Sequence, residues 1–116
     1  MLVVDDDAAI RTMVEHVLRH EHFNVECASD GYEAIEKLAR KDYDIIVLDL
    51  TMPRADGMDV LRYLEREKPR IQGKVILMTA KTPPPEAAAA RPVAGVLPKP
   101  FDINTLVEKV RDHSAR

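Results

Sequence analysis

A chain of 116 residues is the size of one ordinary domain with a single core, and 46 % apolar with 32 % charged residues describes a folded chain. A formal net charge of −3 leaves no basic excess to neutralise phosphates, which argues against nucleic-acid binding, and no apolar run reaches the roughly 20 residues of a membrane span. The opening MLVVDDD does not read as a signal peptide, so a cytoplasmic setting is expected, and one cysteine excludes an internal disulfide or a cysteine-based zinc site.

Met1 to Val4 is a short apolar run that ends in Asp5-Asp6-Asp7. Ile10, Met13, Val14, Val17 and Leu18 then recur at the spacing of an amphipathic helix. Phe23 to Ala28 reads as a strand, with Cys27 in it as a small core residue, and Ser29 and Asp30 stand ready to cap the next helix. That helix buries Ile35, Leu38 and Ala39. From Tyr43 to Gly57 the four apolar residues Ile45, Ile46, Val47 and Leu48 lie between Asp44 and Asp49, the pattern of a strand buried on both faces. Thr51-Met52-Pro53 and Ala55-Asp56-Gly57 after it carry turn chemistry.

Met58, Leu61 and Leu64 mark a third helix, which Pro69 closes. Gly73 introduces a strand from Lys74 to Met78, followed by Thr79-Ala80. The segment Lys81 to Pro92 holds Pro83-Pro84-Pro85 and then Ala87 to Ala90, so any helix there is confined to about two turns held by methyl groups alone. Gly95-Val96-Leu97 is a fifth strand running into Pro98-Lys99-Pro100-Phe101. Asp102 can cap a last helix whose apolar stripe is Ile103, Leu106, Val107 and Val110. There is no internal repeat and no linker. Strands alternating with helices predict right-handed βαβ units, hence an α/β fold with a parallel sheet.

Polar groups fall where such a sheet collects ligands, at the carboxyl ends of its strands. Asp5 and Asp6 follow the first strand, Asp49 ends the third, Thr79 the fourth and Lys99 the fifth. Each alone has a plain reading as a cap, a turn residue or a surface lysine, but together those readings leave the shared position unexplained. Two unit charges about 4 Å apart repel by roughly 4 kcal/mol at an effective dielectric near 20, so clustered carboxylates call for a cation, and hard oxygen ligands suit Mg²⁺. A metal there, with a mobile lysine and a hydroxyl donor, suits phosphoryl transfer to Asp49 as a carboxylate nucleophile.

The stretches VVDDD, VLDLTMPRADG, ILMTA and KPF, in that order, resemble the receiver domain of two-component response regulators. The resemblance covers essentially the whole chain, 1–116, as one receiver domain with no output domain in this chain. It implies a flavodoxin-like (βα)5 three-layer sandwich with strand order 2-1-3-4-5. It makes Asp49 the phosphoacceptor, and Asp5, Asp6, Asp49 and the backbone carbonyl of Thr51 the metal contacts for Mg²⁺ or Mn²⁺. Thr79, Ala80 and Lys99 become the phosphate-binding switch residues, and a cis bond is implied between Lys99 and Pro100. The implied donor is a histidine kinase or a histidine phosphotransfer protein. The signal passes to a downstream effector or a fused output domain, with a homodimer on activation as a further implied form and no membrane or nucleic-acid contact by this domain.

Two features depart from the family pattern. Val96 stands where an aromatic switch residue is usual, and the span from Thr79 to Lys99 is short and rich in Pro and Ala. A switch that works by ordering or displacing residues 81 to 92, not by a ring flip, is the expectation. His16, His20 and His22 suggest a metal site at first sight, but cations also suit a helix C-terminus, and that is the reading adopted. The competing functions are a pseudo-receiver that never takes up phosphate and a haloacid-dehalogenase-type phosphatase. The latter needs a second Asp two positions after the nucleophile, where this chain has Thr51.

Overall fold

Apolar β-branched runs make the strands and amphipathic stretches make the helices. In the computed structural model, which describes residues 1–50, 57–79, 93–99 and 101–114, the order is β1 (Leu2–Val4), α1 (Ala8–His20), β2 (Glu26–Ala28), α2 (Gly31–Arg40) and β3 (Ile46–Asp49). It continues with α3 (Gly57–Glu67), a four-residue helix α4 (Pro69–Gln72), β4 (Val75–Thr79), β5 (Gly95–Pro98) and α5 (Ile103–Ser114). All neighbouring strands are parallel, in the order β2-β1-β3-β4-β5. The expected fold and strand order are therefore those observed. Among the described residues no helix is long and apolar enough to cross a membrane.

Register explains the two cores. Leu2, Ile46 and Val75 are aligned across the sheet, as are Val4, Leu48 and Leu77, and these six point into a cluster with Ala34, Leu38, Val60, Leu61, Leu64 and Ile71 from α2, α3 and α4. The residues between them, Val3, Val47 and Ile76, point to the other face and meet Val14, Leu18, Leu106 and Val110 of α1 and α5. Strand residues alternate faces, so a run that is apolar throughout can only sit between two helical layers. The central strands β1, β3 and β4 are buried along their whole lengths. Carboxylates at their ends are thereby held against a dry core.

Caps set the helix starts. Asp7 Oδ1 accepts from the amides of Ala9 (2.9 Å) and Ile10 (3.2 Å). Asp30 accepts from the Glu33 amide at 2.8 Å while Glu33 accepts from the Ser29 amide and hydroxyl. Asp102 accepts from Asn104 at 2.7 Å. Each of these terminates an otherwise open set of backbone donors.

Three local readings change. β2 starts at Glu26, because the amide of Phe23 closes α1 by donating to Leu18 O, beside His22 to Arg19 O. His22 takes φ 73°, the left-handed residue that this end motif requires. Pro69 does follow the end of α3 but then opens α4, where a missing amide hydrogen leaves nothing unsatisfied. Cys27 is only partly buried, because β2 is an edge strand, and its thiol donates to Glu15 Oε2 at 3.1 Å. Burial and that carboxylate push the thiol up to about 12, so it stays protonated. The expectation for residues 81 to 92 lies outside the described residues.

Gly57 opens α3 where the chain returns to the end of β3. A Cβ there would lie 2.6 Å from Asp49 O and 2.8 Å from Leu50 Cα, both backbone atoms that cannot yield. Gly57→Ala is therefore expected to destabilise the fold by about 1–3 kcal/mol in urea denaturation, the usual scale of overpacking. A midpoint equal to wild type would show that the contact is not tight.

Candidate functional site

Four strand ends build one acidic pocket. Asp5 follows β1, Asp49 is the last residue of β3, Thr79 the last of β4, and Lys99 follows β5. The parallel ladder pairs Asp49 with Met78 and Thr79 with Pro98, so these residues reach the same edge of the sheet. Asp5 (0 % exposed), Asp49 (1 %) and Thr79 (1 %) are the three buried polar residues among those described. Asp6 is exposed at the rim. A ligand oxygen from each of Asp5, Asp6 and Asp49 lies within 4.8 Å of the other two. The Lys99 ammonium bridges the buried pair, 3.3 Å from Asp5 Oδ2 and 3.2 Å from Asp49 Oδ2.

Asp5 is held at every polar atom. Its amide donates to Ala28 O of β2 at 3.2 Å, Oδ1 accepts from the Asp7 amide at 2.9 Å, Oδ2 meets Lys99, and its carbonyl accepts from Arg11 Nη1 at 2.7 Å. Burial, with the neighbouring Asp49 carboxylate, raises the Asp5 pKa above its ordinary 3.8, against the Asp7 amide and Lys99. Burial alone would lower Lys99, but the carboxylates of Asp49 and Asp5 outweigh it and raise its pKa above the usual 10.5. Lys99 is a fixed cation at neutral pH. Its amide also donates to Thr79 O at 2.7 Å, so the lysine and the threonine are joined at the backbone.

The donor set fits a hard divalent cation. Three carboxylates converge, two of them buried and one at the solvent edge, where water could complete the coordination that Mg²⁺ requires. Among the described residues no other group of three His, Cys, Asp or Glu gathers in this way, and His16, His20 and His22 stay exposed and apart from one. Thr51, Ala80 and Pro100, expected at the same edge, lie outside the described residues. Val96 is half-buried on β5, opposite Leu77, and packs with Val93 against the α2–α3 core.

Two contacts were not anticipated from sequence. One is the packing of Gly57 on Asp49. The other is Arg11, whose place one turn after the cap Asp7 is the signal for it, since helical side chains lean toward the N-terminus.

A family model described as the response regulator receiver domain matches residues 1–111. A response regulator of Mycobacterium leprae, MprA, is 36% identical over 113 residues, which are 96% of this chain and 49% of that protein. The chain thus spans about half the length of the curated relatives it matches. Among solved structures, the receiver domain of a Francisella response regulator, 1452, superposes with a TM-score of 0.87 at 30% identity, covering 99% of this chain and 95% of that one. The response regulator TrrA of Thermotoga maritima, in complex with Mg²⁺-BeF, does so with 0.83 at 30%, covering 96% and 95%.

The raised Asp5 pKa carries a stability consequence whose sign is fixed. An acid that is harder to ionise in the fold favours folding at a pH below its unfolded value of 3.8, and that advantage is lost as pH rises through the raised value. In excess chelator at pH 7, Asp5→Asn is therefore expected to raise the unfolding free energy by on the order of 1 kcal/mol, read as a higher urea midpoint. The gain should shrink as the pH is lowered toward 3.8. A midpoint that falls at pH 7 would mean that the Lys99 contact outweighs the burial.

Proposed function

The chain belongs to the response regulator receiver domain family, and from that membership we propose that Asp49 accepts a phosphoryl group from a phosphohistidine on a kinase or phosphotransfer protein, in a reaction that depends on Mg²⁺ or Mn²⁺. The observation that carries this is the placement of the Asp49 carboxylate, buried at a strand tip beside two further acids and 3.2 Å from a lysine ammonium. A carboxylate oxygen of Asp49 attacks phosphorus. The new P–O bond forms as the P–N bond breaks, and the imidazole nitrogen leaves with the electron pair and takes a proton. Water later hydrolyses the acyl phosphate, so the domain turns over only its own modification.

Asp5, Asp6, Asp49 and the carbonyl of Thr51 would hold the cation, with Asp6 the ligand on the open side. When bound, it supplies positive charge to the phosphoryl oxygens and offsets the repulsion among the carboxylates. The Mg²⁺-BeF complex of the Thermotoga maritima relative supports this assignment. Lys99 exchanges its two carboxylate partners for a phosphoryl oxygen, the Thr79 hydroxyl donates to another, and Ala80 leaves the acceptor accessible. Because the Lys99 amide is bonded to Thr79 O, that exchange pulls on the ends of β4 and β5 together.

With Val96 in place of a ring, the response passes into residues 81 to 92 and the β5 face, which a downstream effector or a fused output domain reads. The half-length match to relatives named as response regulators supports an output beyond this domain. The setting is cytoplasmic, and homodimerisation on activation belongs to the same reading.

Intact mass after incubation with acetyl phosphate and Mg²⁺ tests the assignment. One phosphoryl group is expected on wild type, and none on Asp49→Asn or in excess chelator. Full incorporation in that variant would remove Asp49 from the role, whereas no incorporation in wild type would favour a receiver that works by interaction alone. Lys99→Ala should still be labelled and fold normally, but lose the change in amide hydrogen exchange that labelling produces in wild type. An unchanged response would take Lys99 out of the switch.

A further inference from the structure

Resting on that cation-binding reading, we propose that Arg11 is a positioning residue for the acid pair, clasping the backbone on both sides of Asp6. Its side chain donates from Nη1 to Asp5 O at 2.7 Å, and its own amide donates to Asp7 O at 2.9 Å. Asp6 lies between those two carbonyls. Among the described residues nothing bonds the Asp6 carboxylate itself, so its direction is set by the peptide units flanking it. Asp7 is secured as the cap of α1, and Asp5 by β2, by Lys99 and by Arg11. Of these supports only the Arg11 side chain acts on the peptide unit that leads from Asp5 into Asp6.

Two effects of this guanidinium on a cation at the acidic cluster have opposite signs. As a positive charge it repels the cation, so its removal would tighten binding. As a clasp it fixes ligand geometry, and removing such an outer partner typically loosens metal binding by about tenfold or more. Arg19 provides an internal control. It sits two turns further along the same helix and makes the same kind of bond, Nη2 to Val25 O at 2.8 Å, at the other end of the sheet.

The experiment is titration of Mn²⁺, followed by the free-ion electron paramagnetic resonance signal, on folded wild type, Arg11→Met, Arg11→Lys and Arg19→Met. Methionine keeps the aliphatic stem without donor or charge, and lysine restores both. Arg11→Met is expected to bind about tenfold more weakly, Arg11→Lys to recover most of the loss, and Arg19→Met to match wild type. In the cation-free protein the Asp7 amide should exchange faster in Arg11→Met. Unchanged or tighter binding by Arg11→Met, equal weakening by Arg19→Met, or no recovery with lysine overturns the proposal. Failure of wild type to bind Mn²⁺ overturns the cation-binding reading along with it.

Discussion

Two carboxylates buried side by side at the edge of an apolar sheet are the condition to which the rest of this molecule answers. Asp5 and Asp49 are nearly inaccessible, and the Asp5 carboxyl resists ionisation. Unrelieved, such a pair would be neutralised or pulled apart. The fold keeps it by placing Lys99 across both acids and directing the Asp7 amide at Asp5. These contacts offset the repulsion only in part. What remains is an attraction for further positive charge, and the proposed cation binding rests on that surplus.

The apolar layers serve this arrangement. Val3, Val47 and Ile76 on one face, and Leu2, Val4, Ile46, Leu48, Val75 and Leu77 on the other, leave the central strands no freedom to slide. A slip of one residue would send each side chain to the wrong core and carry Asp49 to the other face. Asp5 and Asp49 are buried, while Asp6 stays exposed at the rim. Rigidity below the pocket and access above it come from the same parallel architecture.

Much of this was legible in the chain itself, because it follows from local patterns. The run Ile45 to Leu48 carries the pattern of a doubly covered strand, and such a strand sets Asp49 at its tip. Asp30 and Asp102 announced helix starts by residue type and position, and each is a cap. Less legible was whatever depends on a neighbour distant in sequence. Phe23 reads as a strand residue until the left-handed turn at His22 is seen, and Cys27 as core until β2 proves to be an edge. The reach of Arg11 to a carbonyl six residues earlier follows a helical geometry that composition does not carry. Thr51 and Pro100 were expected at the pocket from resemblance alone.

The contact between Lys99 and Asp5 joins residues 94 positions apart. Its lysine is delivered by β5, which among the described residues pairs only with β4 and closes the sheet on that side. Edge elements with partners on one side open at lower free energy than the strands they lean on. Partial opening of β5 would therefore withdraw the counter-charge while β1 and β3 remained paired, and leave the two acids facing each other in an otherwise intact scaffold. Such a sub-globally opened form would be a sticky trap for divalent ions.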